Sequence, residues 1–223
     1  MSDYLRSYIT IVFLAMAEPT DVGIVEKEGW PQTNATGVSL ASPIVQSQLD
    51  WLLASVPTAR RVLIITDKWW EENRANADLK AHLATRTEII YEMRRVDSLQ
   101  QAQTLIETID TTAYDVWFFP AGFATFIAEA QWLNFLKTRG IAAAFNAERW
   151  GDQAGIVSYQ EDHSLFQDRM AEYVDAVLRG RDVREMAIDR PVRFSLTVNL
   201  RVARRLGLVI PDEVILSADR VLR

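Results

Sequence analysis

Two unbroken apolar runs, Arg61-Val62-Leu63-Ile64-Ile65-Thr66 and Tyr114-Asp115-Val116-Trp117-Phe118-Phe119, constrain this chain most. A strand with one wet face alternates apolar and polar residues; a continuous run is apolar on both faces and has to be covered on both. Between and beyond these runs lie stripes of helical period. Val45, Leu49, Leu52, Leu53 and Val56 fall on one face between Ser42-Pro43 and Pro57, which set a helix start and stop. Leu99, Ala102, Leu105, Ile106 and Ile109 follow a Ser98/Gln101 capping box. Phe166, Met170, Tyr173, Val174 and Val177 end before Gly180. Strands alternating with helices read as βαβ units, a parallel sheet with helices on both faces.

The remaining elements follow the same rhythm. The run Tyr8 to Ala17 resembles a signal-peptide core ending in Ala15-Met16-Ala17, but Asp3 offsets Arg6 and β-branched residues run into Glu18-Pro19. A buried strand stopping at a turn fits better. Asp67 caps a helix expected to reach His82; Thr87–Met93 reads as a strand; a helix is expected over Phe123–Arg139, closed by Gly140. Ile141–Phe145 and Gly155–Tyr159 are expected strands, His163–Arg179 a helix, and Phe194–Val198 a last strand before a short helix that Gly207 ends.

Composition narrows the function. The chain has 223 residues and no cysteine, which excludes disulfides, thiolate metal sites and cysteine catalysis. A net charge of −6 argues against a nucleic-acid backbone binder. There is no phosphate-binding glycine loop and no Gly-x-Ser-x-Gly elbow. The two histidines, His82 and His163, have no second histidine at ligand spacing and read as surface or helix-start residues. Glu161-Asp162 reads as charge at a helix start, and Asn34-Ala35-Thr36 as a sequon of a kind that recurs by chance. No cofactor is implied, and no catalytic or metal set can be assembled.

Candidate binding residues therefore come from the fold rule that ligands sit beyond the carboxyl ends of the strands in open α/β sheets. The strand-end loops supply Glu18 and Thr20, Asp67, Trp69 and Trp70, Gly122 and Phe123, Asn146 and Glu148, and Tyr159. Aromatic walls with a few polar anchors suit a small-molecule cleft. Trp69-Trp70 reads either as one core and one partly exposed residue or as a stacking surface for a ligand; Gly122 reads as a turn residue.

The stretch Phe194 to Pro211, with Asn199-Leu200, Ala203, Leu206-Gly207 and Ile210-Pro211, resembles the closing segment of ABC-transporter substrate-binding proteins of the tryptophan/tyrosine type. Ile11-Val12-Phe13 leading to Glu18-Pro19 is similar to that family's strand ending in Asp-Pro. Asn34-Ala35-Thr36-Gly37-Val38 is similar to its Asn-x-Thr-Gly-Val segment, and Ile141–Phe145, Gly155 and Ser158-Tyr159 keep its spacing. The resemblance runs from about Tyr8 to Leu222. It implies a two-lobed α/β fold of the periplasmic-binding type I class, with Rossmann-like parallel sheets in three αβα layers. A small molecule, an aromatic amino acid among the options, would be captured between the lobes and passed to an ABC permease without chemistry. It also implies a periplasmic location, or a cytoplasmic one if no leader lies upstream.

Two departures stand out. Asp67-Lys68 replaces the family's usual Asn-Pro, and Pro120-Ala121-Gly122 its Pro-Thr-Asp, so ligand identity does not carry over. The match also begins at a late strand of the first lobe, as if about a hundred residues were absent. On this reading residues 34–150 and 191–223 form a second lobe, while 1–33 and 151–190 form part of a first. An incomplete lobe would leave apolar faces to be covered by further chain or by a homo-oligomer formed through the N-terminal and Gly155–Tyr159 strands. A sensing or protein-interaction module on the same fold, and a remnant without ligand binding, are the alternatives.

Overall fold

A computed structural model describes residues 9–15, 18–20, 23, 33–39, 44–162, 164–190 and 193–223. Met16-Ala17, the helix start Ser42-Pro43 and His163 lie outside them. In chain order the elements are β1 (Ile11–Ala15), β2 (Ala35–Ser39), α1 (Val45–Ser55), β3 (Arg61–Thr66), α2 (Lys68–Glu71), α3 (Arg74–Thr85), β4 (Ile90–Arg95) and α4 (Leu99–Thr108). There follow β5 (Val116–Phe119), α5 (Phe123–Ile127), α6 (Glu129–Arg139), β6 (Ala143–Phe145), α7 (Glu148–Gly151), β7 (Val157–Glu161) and α8 (Ser164–Leu178). The chain closes with β8 (Phe194–Asn199), α9 (Leu200–Arg205), α10 (Asp212–Ser217) and β9 (Arg220–Leu222).

It divides into two compact units, Met1–Ser42 with Glu161–Phe194, and Pro43–Gln160 with Ser195–Arg223. These boundaries differ from divisions at 34, 151 and 191. β2 stays with the first unit because it pairs in parallel with β1, Phe13 opposite Gly37. Residues 151–160 stay with the second because β7 pairs with β6, Ala144 opposite Val157.

In the first unit, Val38 also bridges Asp189, and the Thr36 hydroxyl donates to Met186 O at 2.8 Å. Asn34 donates its side-chain amide to Ile9 O. Phe166 and Tyr173 of α8 are buried, and Gly180, at φ +88°, follows the helix. Among the described residues no strand pairs with the outer edge of β1, where Leu14 is half exposed.

The second unit is built on a sheet of strand order β4-β3-β5-β6-β7-β8-β9, with the pairs β3–β4, β3–β5, β5–β6, β6–β7 and β8–β9 parallel. Strand alternation sends side chains to two cores. Val62, Ile64 and Phe118 pack with Leu49, Leu52, Leu79, Val202 and Val214 on one face. Leu63, Ile65, Trp117, Phe119 and Phe145 pack with Ala102, Trp132, Leu136 and Trp150 on the other. The continuous apolar runs are thus explained: β3 and β5 are covered on both sides. β4, by contrast, is an edge strand and places Glu92, Arg94 and Arg95 where charge blunts further pairing.

For the Gly155–Tyr159 strand this topology removes edge-to-edge pairing with a second copy. β7 lies between β6 and β8 and has no free edge. Other departures are local. Asn73 turns extended and caps α3 by accepting from Ala75 N–H, so the helix expected from Asp67 to His82 is two helices. The Phe123–Arg139 helix breaks at Ala128, φ −136° and ψ 38°. The break accompanies the indole of Trp132 donating to Ala124 O at 3.0 Å. β4 begins at Ile90 rather than Thr87, because Arg86–Ile89 closes a turn first.

At the amino ends of β3 and β5, Asp115 accepts from Arg60 N–H and Arg61 N–H, both at 2.9 Å, and from the Arg61 guanidinium at 2.6 Å. The Arg61 hydrogen bond, with the backbone donors, holds its carboxyl down at about 2. An unfolded Asp titrates near 3.9, so this stability is fully present above pH ~4 and is lost as pH falls toward 2. Asp115→Asn is expected to remove about 1–2 kcal/mol at pH 6, after allowance for partial solvent screening. It should also flatten the acid limb of urea-unfolding stability between pH 4 and 2; an unchanged acid limb would contradict the assignment.

Candidate functional site

The chain leaves β3 toward β4 on one side of the sheet and leaves β5 toward β6 on the other. The strand order therefore reverses between β3 and β5, and the carboxyl ends of these two strands flank the topological switch point. The loops there carry Asp67, Trp69, Trp70, Gly122 and Phe123.

Asp67 is 2% exposed and extended. Its Oδ1 accepts from Trp70 N–H at 2.8 Å, and its Oδ2 accepts from Ala124 N–H at 2.9 Å. One carboxylate thus caps both α2 and α5. Trp70 is buried in the core with Leu79 and Ile64. Trp69 is only partly buried, and its ring meets that of Phe123 edge-on, 5.6 Å between centroids at 75°. Phe123 is 55% exposed. This edge-to-face geometry is the favoured one for two quadrupoles.

Beyond β6, Asn146 donates its backbone N–H to Phe119 O at 3.2 Å, while its Oδ1 is shielded and has no partner among the described residues. Glu148 is ion-paired with Arg220 and accepts from the Thr197 hydroxyl at 3.4 Å. Tyr159 lies with its ring 6.5 Å from Trp51, and its carbonyl accepts from the Gln48 amide at 2.8 Å. These residues end neighbouring strands of the second unit. Glu18 and Thr20 belong to the first unit, where Glu18 pairs with Arg190 at 2.7 Å and accepts from the Thr20 hydroxyl at 3.5 Å.

Phe126 was not among the candidates from sequence. It is 49% exposed one turn beyond Phe123, and its ring stands edge-on to Trp150 at 4.6 Å. The i,i+3 spacing of Phe123 and Phe126 is the signal that would have found it. Among the described residues no group of His, Asp and Glu could hold a metal ion, and no helix is long and apolar enough to cross a membrane.

The three-layer fold with its switch point is that of type I periplasmic-binding proteins. Within that class, this chain belongs to the ABC transporter substrate-binding protein family, whose model matches residues 4–222. Among solved structures it is similar to an ABC domain from Streptococcus pneumoniae in complex with L-Trp, with a TM-score of 0.82 and 18% identity over 97% of this chain and 72% of that one. A conserved domain protein from Vibrio cholerae gives 0.78 at 20% identity, covering 96% and 71%. A ligand-free, open substrate-binding protein with adhesive properties from Clostridium difficile gives 0.70 at 15%, covering 97% and 72%. No curated protein matches the sequence.

Proposed function

We propose that this chain is the solute-binding component of an ABC importer, acting outside the cytoplasm. It would capture a small molecule with an aromatic or apolar group at the carboxyl ends of β3 and β5 and hand it unaltered to a permease. The observation that carries the reading is the Trp69–Phe123 pair, an edge-on aromatic surface at the switch point of the sheet. Such a pair is built to receive a third flat group, which gains apolar burial and ring contact together.

Charge supports the same ligand class. Among the described residues Lys68 of α2, Arg95 at the end of β4, Arg149 of α7 and Arg220 of β9 each face a carboxylate. The second unit would therefore meet the uncharged aromatic part of the solute. Asn146, Glu148 and Tyr159 complete the proposed contacts of the second unit. The L-Trp bound to the Streptococcus pneumoniae structure makes that amino acid a natural first probe.

Calorimetric titration of the purified chain with L-tryptophan, L-tyrosine, L-phenylalanine, L-leucine and L-glutamate tests this. Saturable one-to-one binding of at least one aromatic member, stronger than that of leucine or glutamate, is the expected result. Binding of glutamate in preference to all three aromatic amino acids would contradict it.

A further inference from the structure

We propose that Asp67 and Gly122 form a bolt between the loops after β3 and β5, and that this bolt sets the geometry of the Trp69–Phe123 pair. Asp67 is thus a positioning residue rather than a contact for the solute. Three observations converge on it. Both carboxylate oxygens are committed, one to each loop, through Trp70 N–H and Ala124 N–H. Gly122 leaves room for the second bond: a Cβ there would stand 2.4 Å from Asp67 Oδ2 and 3.7 Å from Trp70 Cβ. The two aromatic rings follow directly in sequence, Trp69 two residues after Asp67 and Phe123 immediately after Gly122.

The chemistry suits the task. α2 and α5 are short, so neither supplies a stable orientation through its own hydrogen bonds. Satisfying a buried donor in each with one charged acceptor fixes both loops to a common point. A ring pair placed in advance spares the ordering that binding would otherwise require. The functional part of the proposal rests on the solute reading above; the structural part does not.

The test uses the full chain and two readouts. The first is the Trp69 indole N–H resonance, assigned by its disappearance in Trp69→Phe, with Phe123→Ala as the reference for a lost ring contact. The second is affinity for L-tryptophan. Asp67→Asn, which keeps one acceptor, and Gly122→Ala are each expected to move the resonance toward the Phe123→Ala position and to weaken L-tryptophan binding about fivefold or more.

Asp67→Ala removes the oxygen that a Cβ at 122 would strike. Adding Gly122→Ala to it should therefore change neither readout further. A Trp69 resonance unmoved in both Asp67→Asn and Gly122→Ala would overturn the bolt, as would a Gly122→Ala effect of undiminished size in the Asp67→Ala background. If the resonance moves but affinity holds, while Trp69→Ala does weaken binding, positioning for the solute is overturned and the solute reading stands. If the resonance moves and the unmodified chain binds no L-tryptophan, the bolt stands and L-tryptophan is removed as the solute.

Discussion

Trp69→Ala is expected to weaken capture of an aromatic solute by about tenfold or more, about 1.4 kcal/mol, with the fold retained. The separation of the two effects follows from where the residue sits. Trp70, its neighbour, is 2% exposed and belongs to the core of the second unit, whereas Trp69 only leans on that core and turns its ring to Phe123. The cap that starts α2 runs from Asp67 to the backbone N–H of Trp70, so truncating the Trp69 side chain leaves it in place. Phe123→Ala should have the smaller effect on binding, because the larger indole remains. Titration calorimetry and urea unfolding on the same preparations read the two quantities; equal affinity of wild type and Trp69→Ala would remove Trp69 from the site.

Gly37→Ala is expected to destabilise the first unit by about 3 kcal/mol or more, from steric conflict rather than a lost contact. Gly37 sits at φ +151°, a conformation costly for any residue with a side chain. A Cβ there would stand 2.0 Å from Phe13 O and 2.7 Å from Phe13 N on the paired strand. Strands β1 and β2 would have to part, and β2 is also the partner of the 189 region, where Asp189 N–H donates to Gly37 O at 3.0 Å and Ser39 N–H donates to Asp189 O at 2.9 Å. Faster hydrogen exchange at the Ser39 and Asp189 amides, with amides of β3 and β5 unaffected, is the expected signature. Wild-type protection at those two amides would contradict the packing described for β1 and β2.

Gly37 also shows how motif and mechanism came apart in the sequence. The segment Asn34-Ala35-Thr36-Gly37-Val38 was legible as a family motif but not as a strand, because Asn34 and Gly37 read as turn formers. The structure makes it β2, with Thr36 and Asn34 spending their side chains on backbone carbonyls of other segments. β3 and β5 were legible because a run apolar on both faces has few alternatives to a covered strand. β9 and α7, three and four residues long, are too short to generate a period that periodicity could detect.

The site was legible in part for the same kind of reason. The strand-end rule pointed to the loops that carry Trp69 and Phe123, but sequence could not say that Asp67 faces inward and joins them. That depends on the Ala124 amide, 57 residues further along the chain. Nor could it separate Trp69 from Trp70, which differ only in which side of a single helical turn they occupy.

Binding of an aromatic solute at the carboxyl ends of β3 and β5 is open to direct observation. Its most direct measurement is the set of nuclear Overhauser contacts between bound L-tryptophan and ring protons of the protein. Contacts to Trp69 and Phe123 are the expected result. Bound L-tryptophan with contacts confined to other rings, and none to Trp69 or Phe123, would contradict the account.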